Sequence, residues 1–133
     1  MTSEIFENED GKFIIFPNDA IAQHIKSGKS WEPHFKIIIE HFISPGDTVI
    51  DCGANFGYNA VLMGKRINNK GSLIAFEPQR IISQQLNGNL ILNNIYNAIT
   101  YQVALGNGSN STTNMRPVDY ERSEEHTSEL QSP

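Results

Sequence analysis

The sequence predicts an α/β fold: a parallel sheet whose strands are joined by helical crossovers. Three observations predict it. Short apolar runs recur at DTVIDCG (residues 47–53), at Ser72–Glu77 and at Ala98–Leu105, each bounded by turn residues, as strands buried in a sheet are. Between them lie stretches of helical length and period, Tyr58–Ile67 and the segment after Pro78 in which Ile82, Leu86 and Leu90 share a face. Strand and helix therefore alternate at βαβ spacing, and sheets of that kind bind ligands at the carboxyl ends of their strands.

The elements follow in order. Ile5–Phe16 places an Asp10-Gly11 turn between two apolar runs, which predicts a hairpin. Asn18 or Asp19 caps a short helix through Ile21 and Ile25, with Gly28 as its stop. Ser30 is read as the cap of a second helix, whose Trp31, Phe35, Ile38, Ile39 and Phe42 fall on one face, and Pro45-Gly46 ends it. His34 and His41 flank that stripe without a third partner, so no metal site is read there. The strand at 47–53 is expected to be buried, and Cys52 within it to be a small buried thiol. NNKGSL is a turn, and Pro78 is expected at the first position of the next helix, where its missing N–H costs nothing. Gly106–Asn114 is a polar loop.

Length and composition bound the rest. A chain of 133 residues with 38% hydrophobic residues suits one small domain with its own core. The net charge of −5 and the scattered Lys and Arg exclude the basic footprint of a nucleic-acid binder. No apolar run nears the roughly 18 residues that span a bilayer, and the acidic MTSEIFENED is unlike a signal peptide. A cytoplasmic protein is expected, and a single cysteine allows no disulfide framework.

The tail RSEEHTSELQSP differs from what precedes it. Isoleucine, asparagine and lysine, frequent up to Glu121, are absent from residues 122–133. Arg122 to Ser132 resembles, residue for residue, the translation of a sequencing-library adapter. The natural sequence is accordingly expected to end near Glu121 within an unfinished gene, and Glu124, Glu125 and His126 are given no function.

The stretch VIDCGANFGYNA joins the first parallel strand to a helix, and Gly53 and Gly57 let backbone come close to a ligand. Two cofactor classes use such a loop. A dinucleotide fingerprint needs glycine where this chain has Asn55 and Tyr58, which disfavours an NAD-dependent oxidoreductase. The other class is S-adenosyl-L-methionine (AdoMet), for which an acid-x-Gly-x-x-x-Gly loop passes the methionine end and an acid ending the second strand takes the ribose hydroxyls. Asp51, Gly53 and Gly57 supply the first part and Glu77 the second, since one carboxylate accepts from two vicinal hydroxyls. Glu77 is also readable as an acid stabilised by a helix N-terminus, Asp51 as a residue orienting the loop backbone, and Asn55 and Tyr58 as helix entry and packing.

WEP, PGDTVIDCGANFGYNA, AFEP, LNGNLILNN and VALG, in this order, resemble the FkbM family of methyltransferases over about Ser27 to Asn107. The resemblance implies a Rossmann-like class I AdoMet-dependent methyltransferase fold, here truncated after about the third parallel strand and preceded by a hairpin and helices. The organisation expected is a hairpin and helical lead-in over residues 1–46, a partial methyltransferase domain over 47–121 and, from the adapter likeness, a non-native tail over 122–133. By motif position, Gly53, Ala54, Asn55, Gly57 and Tyr58 would border the methionine moiety, Glu77 the ribose, and the Val103-Ala104 strand end the adenine. Glu32 would face the amino group of the cofactor, or else serve as an acid at a helix start. The third strand ends in Ala104-Leu105-Gly106 without the acid that many methyltransferases offer to adenine, and the family's later strands and acidic motif are not present.

Methyl transfer needs an aligned acceptor and, for a hydroxyl, a base. Tyr58 and His34 are weak nominees, so the catalytic base is unassigned. The acceptor implied is a hydroxyl of a glycan or secondary metabolite, the fragment alone is expected to be inactive, and a non-catalytic cofactor-binding or interaction domain is the alternative.

Overall fold

A computed structural model of the chain describes residues 2–108. The tail at 122–133 and the expected loop beyond Gly108 lie outside the described residues.

The chain opens with β1 (Glu4–Asn8) and β2 (Gly11–Ile15), an antiparallel hairpin in which Asn8 pairs with Gly11. Asn8 Oδ1 accepts the N–H groups of Asp10 (2.9 Å) and Gly11 (3.2 Å), so the turn residues are Glu9-Asp10, one position before the expected pair. Helix α1 (Ala20–Lys26) starts under Asp19, whose Oδ1 accepts from Ile21 and Ala22.

Helix α2 (Pro33–Phe42) differs from expectation at its start. Its capping position is Glu32, at φ 46° and ψ 62°, and Ser30 lies outside the helix with its carbonyl facing the His24 ring. Pro33 explains this, because the residue before a proline is driven out of the right-handed helical region. Only Ile39 of the expected stripe is buried; Trp31 and Phe35 are partly covered, Ile38 is exposed and Phe42 is 72% exposed.

Strand β3 (Thr48–Cys52), helix α3 (Tyr58–Ile67), strand β4 (Ser72–Phe76), helix α4 (Arg80–Leu92) and strand β5 (Ala98–Tyr101) complete two βαβ units. The strands are parallel in the order β3-β4-β5, with Ile50, Ile74 and Ile99 in one register row and Cys52, Phe76 and Tyr101 in another. Pro78 lies before the helix it was expected to open: Gln79 is the cap and Arg80 the first helical residue. Strand β5 is shorter than its apolar run, because the chain leaves the sheet after Tyr101.

Alternation along the strands turns Val49, Leu73, Ala75 and Ala98 toward the helices, where they join a core with Phe13, Ile15, Val61, Ile82 and Leu86. Each large member is worth about 1.5–3 kcal/mol of burial. The opposite face is open among the described residues, with Ile50 59% and Ile99 54% exposed. The expected buried strand β3 is thus covered on one face only, and Cys52, whose side chain takes the open face, is exposed rather than buried. Among the described residues, no helix is long and apolar enough to cross a membrane.

The hairpin is held to α4 by side-chain amides on one helix stripe. Asn93 takes both the N–H (3.0 Å) and the carbonyl (2.7 Å) of Lys12. One turn earlier Asn89 Oδ1 accepts from Ile14 N–H at 2.6 Å, and one turn earlier again Gln85 donates to the Ile14 carbonyl at 2.7 Å. Spacing of i, i+4, i+8 presents the amides in a row, so the free edge of β2 is satisfied by a helix instead of a strand.

Candidate ligand cleft at the strand ends

The cleft grows from the carboxyl end of β3. The N–H groups of Gly53 (3.0 Å) and Ala54 (2.8 Å) both donate to the Phe76 carbonyl, which fastens the loop to the end of β4. The loop then bends through Gly53, Asn55 and Gly57, all at positive φ. A short polar side chain tolerates that region, and Asn55 Oδ1 accepts from the N–H of Phe56 at 2.7 Å. The two glycines serve different ends. A Cβ on Gly53 would meet open space, so backbone is bare to the cleft there, whereas a Cβ on Gly57 would lie 2.6 Å from Leu86 Cδ1, so Gly57 lets α3 pack against α4.

Glu77 is 0% exposed and ties the loop to the next crossover. Its Oε2 accepts from Asn55 N–H and its Oε1 from Gln79 N–H, both at 2.9 Å. Burial pushes its carboxyl up, and the Gln79 and Asn55 N–H groups oppose that shift. Each oxygen keeps a second acceptor position.

Around these residues lies a cleft of about 490 Å³. It brings together Glu32, Asp51, Gly53, Ala54, Asn55, Tyr58, Glu77 and Ala104 from the sequence reading, while Gly57 stays outside its lining. Ala104, with Val103 and Leu105 just beyond β5, lines it together with Phe76.

Two acids share one end. Burial, and after it the neighbouring Glu32 charge, pushes the Asp51 carboxyl up to about 6. Its Oδ2 is shut off from solvent without a hydrogen-bond partner. Asn59, one residue into the first turn of α3, donates to Glu32 Oε2 at 2.8 Å and leaves its own buried Oδ1 unpartnered. Sequence reasoning missed Asn59, and only its place one residue after Tyr58 could have signalled it. It also missed Cys52, whose exposed position lines the cleft.

Tyr58 lines the cleft and also packs, the second of the two readings given for it. Its hydroxyl donates to Asp10 Oδ2 and accepts from Asn8 Nδ2 at 3.1 Å, and its ring stacks on Phe13 with centroids 4.7 Å apart. Burial, and then the bond to Asp10, push its phenol up, so it is a poor base. His34 does not line the cleft.

No protein-family model matches the sequence, and no curated protein does. Solved structures do. The chain is similar to M. jannaschii TYW2, solved in complex with AdoMet, at TM-score 0.56 and 18% identity, over 74% of this chain and 42% of that one. It is similar to a putative rRNA-methylase from Clostridium thermocellum at TM-score 0.53 and 18% identity, over 57% and 43% of the two chains. A SAM-dependent O-methyltransferase from Thermotoga maritima matches at TM-score 0.51 and 19% identity, over 75% and 40%. The fold is that of the Rossmann-like class I methyltransferases. The chain spans under half the length of each of these three structures.

Proposed function

We propose that the chain forms the cofactor-binding part of an AdoMet-dependent methyltransferase of FkbM type, acting on a hydroxyl of a glycan or secondary metabolite. The observation that carries the reading is the link between the glycine loop and Glu77: one buried carboxylate at the end of β4 holds the loop that ends β3. A strand-end loop and an acid on the neighbouring strand are what a nucleoside with a charged tail requires.

The cleft fits that group. Bare backbone at Gly53 leaves space for the methionine portion beside Ala54 and Asn55. Glu32 and Asp51 offer negative charge to its ammonium, and the unpartnered oxygens of Asp51 and Asn59 lack the donors that such a group carries. The remaining acceptor positions of Glu77 suit ribose hydroxyls, and Val103, Ala104 and Phe76 present an apolar slot to adenine. Tyr58 supports the loop through its ring, and Gly57 shapes it from behind. Residues 1–46 serve as lead-in, residues 47–121 form the methyltransferase part, and residues 122–133 have no role. AdoMet, when bound, supplies an electrophilic methyl group. The residues of this chain bind and orient it, and the base for the acceptor is assigned to none of them. The preference for a hydroxyl acceptor rests on the sequence resemblance alone.

Calorimetric titration of S-adenosylhomocysteine and, separately, NAD into the protein tests this. Micromolar binding of the first alone is expected, weakened by about 1–3 kcal/mol in Glu77→Ala through bonds left unmade. A folded protein that binds neither would end the methyltransferase reading, and one that binds NAD would replace it.

A further inference from the structure

We propose that Asn89 is a positioning residue for the cleft: through it the β1–β2 hairpin holds the glycine loop in its ligand-ready conformation, although neither Asn89 nor any hairpin residue lines the cleft. The inference rests on the AdoMet reading above.

Asn89 is 0% exposed and lies in the last turn of α4. Its Nδ2 donates to the carbonyl of Phe56, inside the loop, at 2.7 Å, while its Oδ1 accepts from Ile14 N–H in β2 at 2.6 Å. One buried amide thus spans from hairpin to loop. A second tie meets the loop one residue past Gly57, where Tyr58 donates to the buried Asp10 of the hairpin turn and stacks on Phe13. Asp10 is itself fixed by Lys36 Nζ at 2.5 Å. The stretch from Phe56 to Tyr58 is therefore clamped from the hairpin side, as Asn55 is clamped by Glu77 on the other.

Such clamping has a physical reason. The loop carries three positive-φ residues in a row of five, two of them glycines with many other conformations open to them, so ties from outside are needed to hold this one. Only an amide meets both demands at position 89, because Phe56 offers an acceptor and Ile14 a donor. Aspartate would keep the bond from Ile14 N–H and lose the one to Phe56, together with a longer one, 3.4 Å, to the Ile14 carbonyl. Asn93 supplies a control on the same edge of β2: it holds Lys12 and has no bond to the loop, although it is less buried and its Nδ2 also donates to the Asn89 carbonyl at 2.7 Å.

The test compares wild type, Asn89→Asp and Asn93→Asp, by calorimetric affinity for S-adenosylhomocysteine and by hydrogen exchange at the Asn55 and Gly57 amides, below the melting temperature of each. Asn89→Asp is expected to lose about tenfold in affinity, the worth of one hydrogen bond, and to speed exchange at both amides. Asn93→Asp is expected to match wild type in both, even where it melts earlier. Equal affinity and exchange in the two variants would overturn the proposal. If Asn89→Asp does not fold, the uncharged Asn89→Ser is compared with Asn93→Ser in its place, and equal exchange at Gly57 in the two would overturn the proposal equally. Wild type that fails to bind S-adenosylhomocysteine defeats the cofactor reading alone, since the exchange comparison still decides whether the hairpin holds the loop.

Discussion

At the residue scale, Asp51 shows a site working against its own stability. A carboxyl raised from 3.8 to about 6 stabilises the fold fully only below its unfolded value, and that contribution disappears as pH rises through 6. Ionised Asp51 is therefore a cost at neutral pH, from burial first and from Glu32 second. Asp51→Asn is expected to raise the melting temperature at pH 8 and to leave it unchanged near pH 4, measured by thermal melts across that range. The same variant should bind S-adenosylhomocysteine more weakly, because the ammonium loses a charge partner. Asp51, Gly53 and Glu77 were singled out in the sequence by type and spacing, and the fold brings the three to one cleft. What was not legible is their state: Asp51 is raised because the fold buries it and, second, brings the Glu32 charge near it from a distant segment.

At the element scale, the contact of α3 with α4 is close at Gly57. Gly57 sits at φ 95°, and its missing Cβ makes room for Leu86. Gly57→Ala should cost about 1–3 kcal/mol through backbone strain and overpacking, read as a lower denaturation midpoint at constant slope. The sequence placed α3 to the residue, because Gly57 and the pair Asn68-Asn69 punctuate an amphipathic run. It misplaced the start of α2, where Ser30 looks like a cap but Pro33 dictates the local backbone, and it misjudged β3. An apolar strand reads the same whether one face or both are covered, so the exposure of Ile50 and Cys52 depends on neighbours the strand cannot reveal. The amides of α4 were visible as letters, but their partner, the edge of β2, lies some 75 residues away.

For the whole molecule, one face of the sheet is open among the described residues. Ile50, Ile74 and Ile99 align across three strands, and Phe76 stacks on Tyr101 at 5.4 Å beside them. Contiguous apolar patches of this kind drive association. The double variant Ile50→Lys, Ile99→Lys is expected to reduce binding of a hydrophobic dye and sedimentation as oligomers, with the melting temperature nearly unchanged, because both side chains already face outward.

The row of Gln85, Asn89 and Asn93 bears on association too. An uncovered strand edge invites a foreign strand by offering a line of vacant N–H and C=O groups. Along β2 those of Lys12 and Ile14 are occupied by side chains of the same molecule. A second polypeptide arriving from that side has nothing to zip onto, so sheet extension among the described strands is left to the outer edges of β1, β3 and β5.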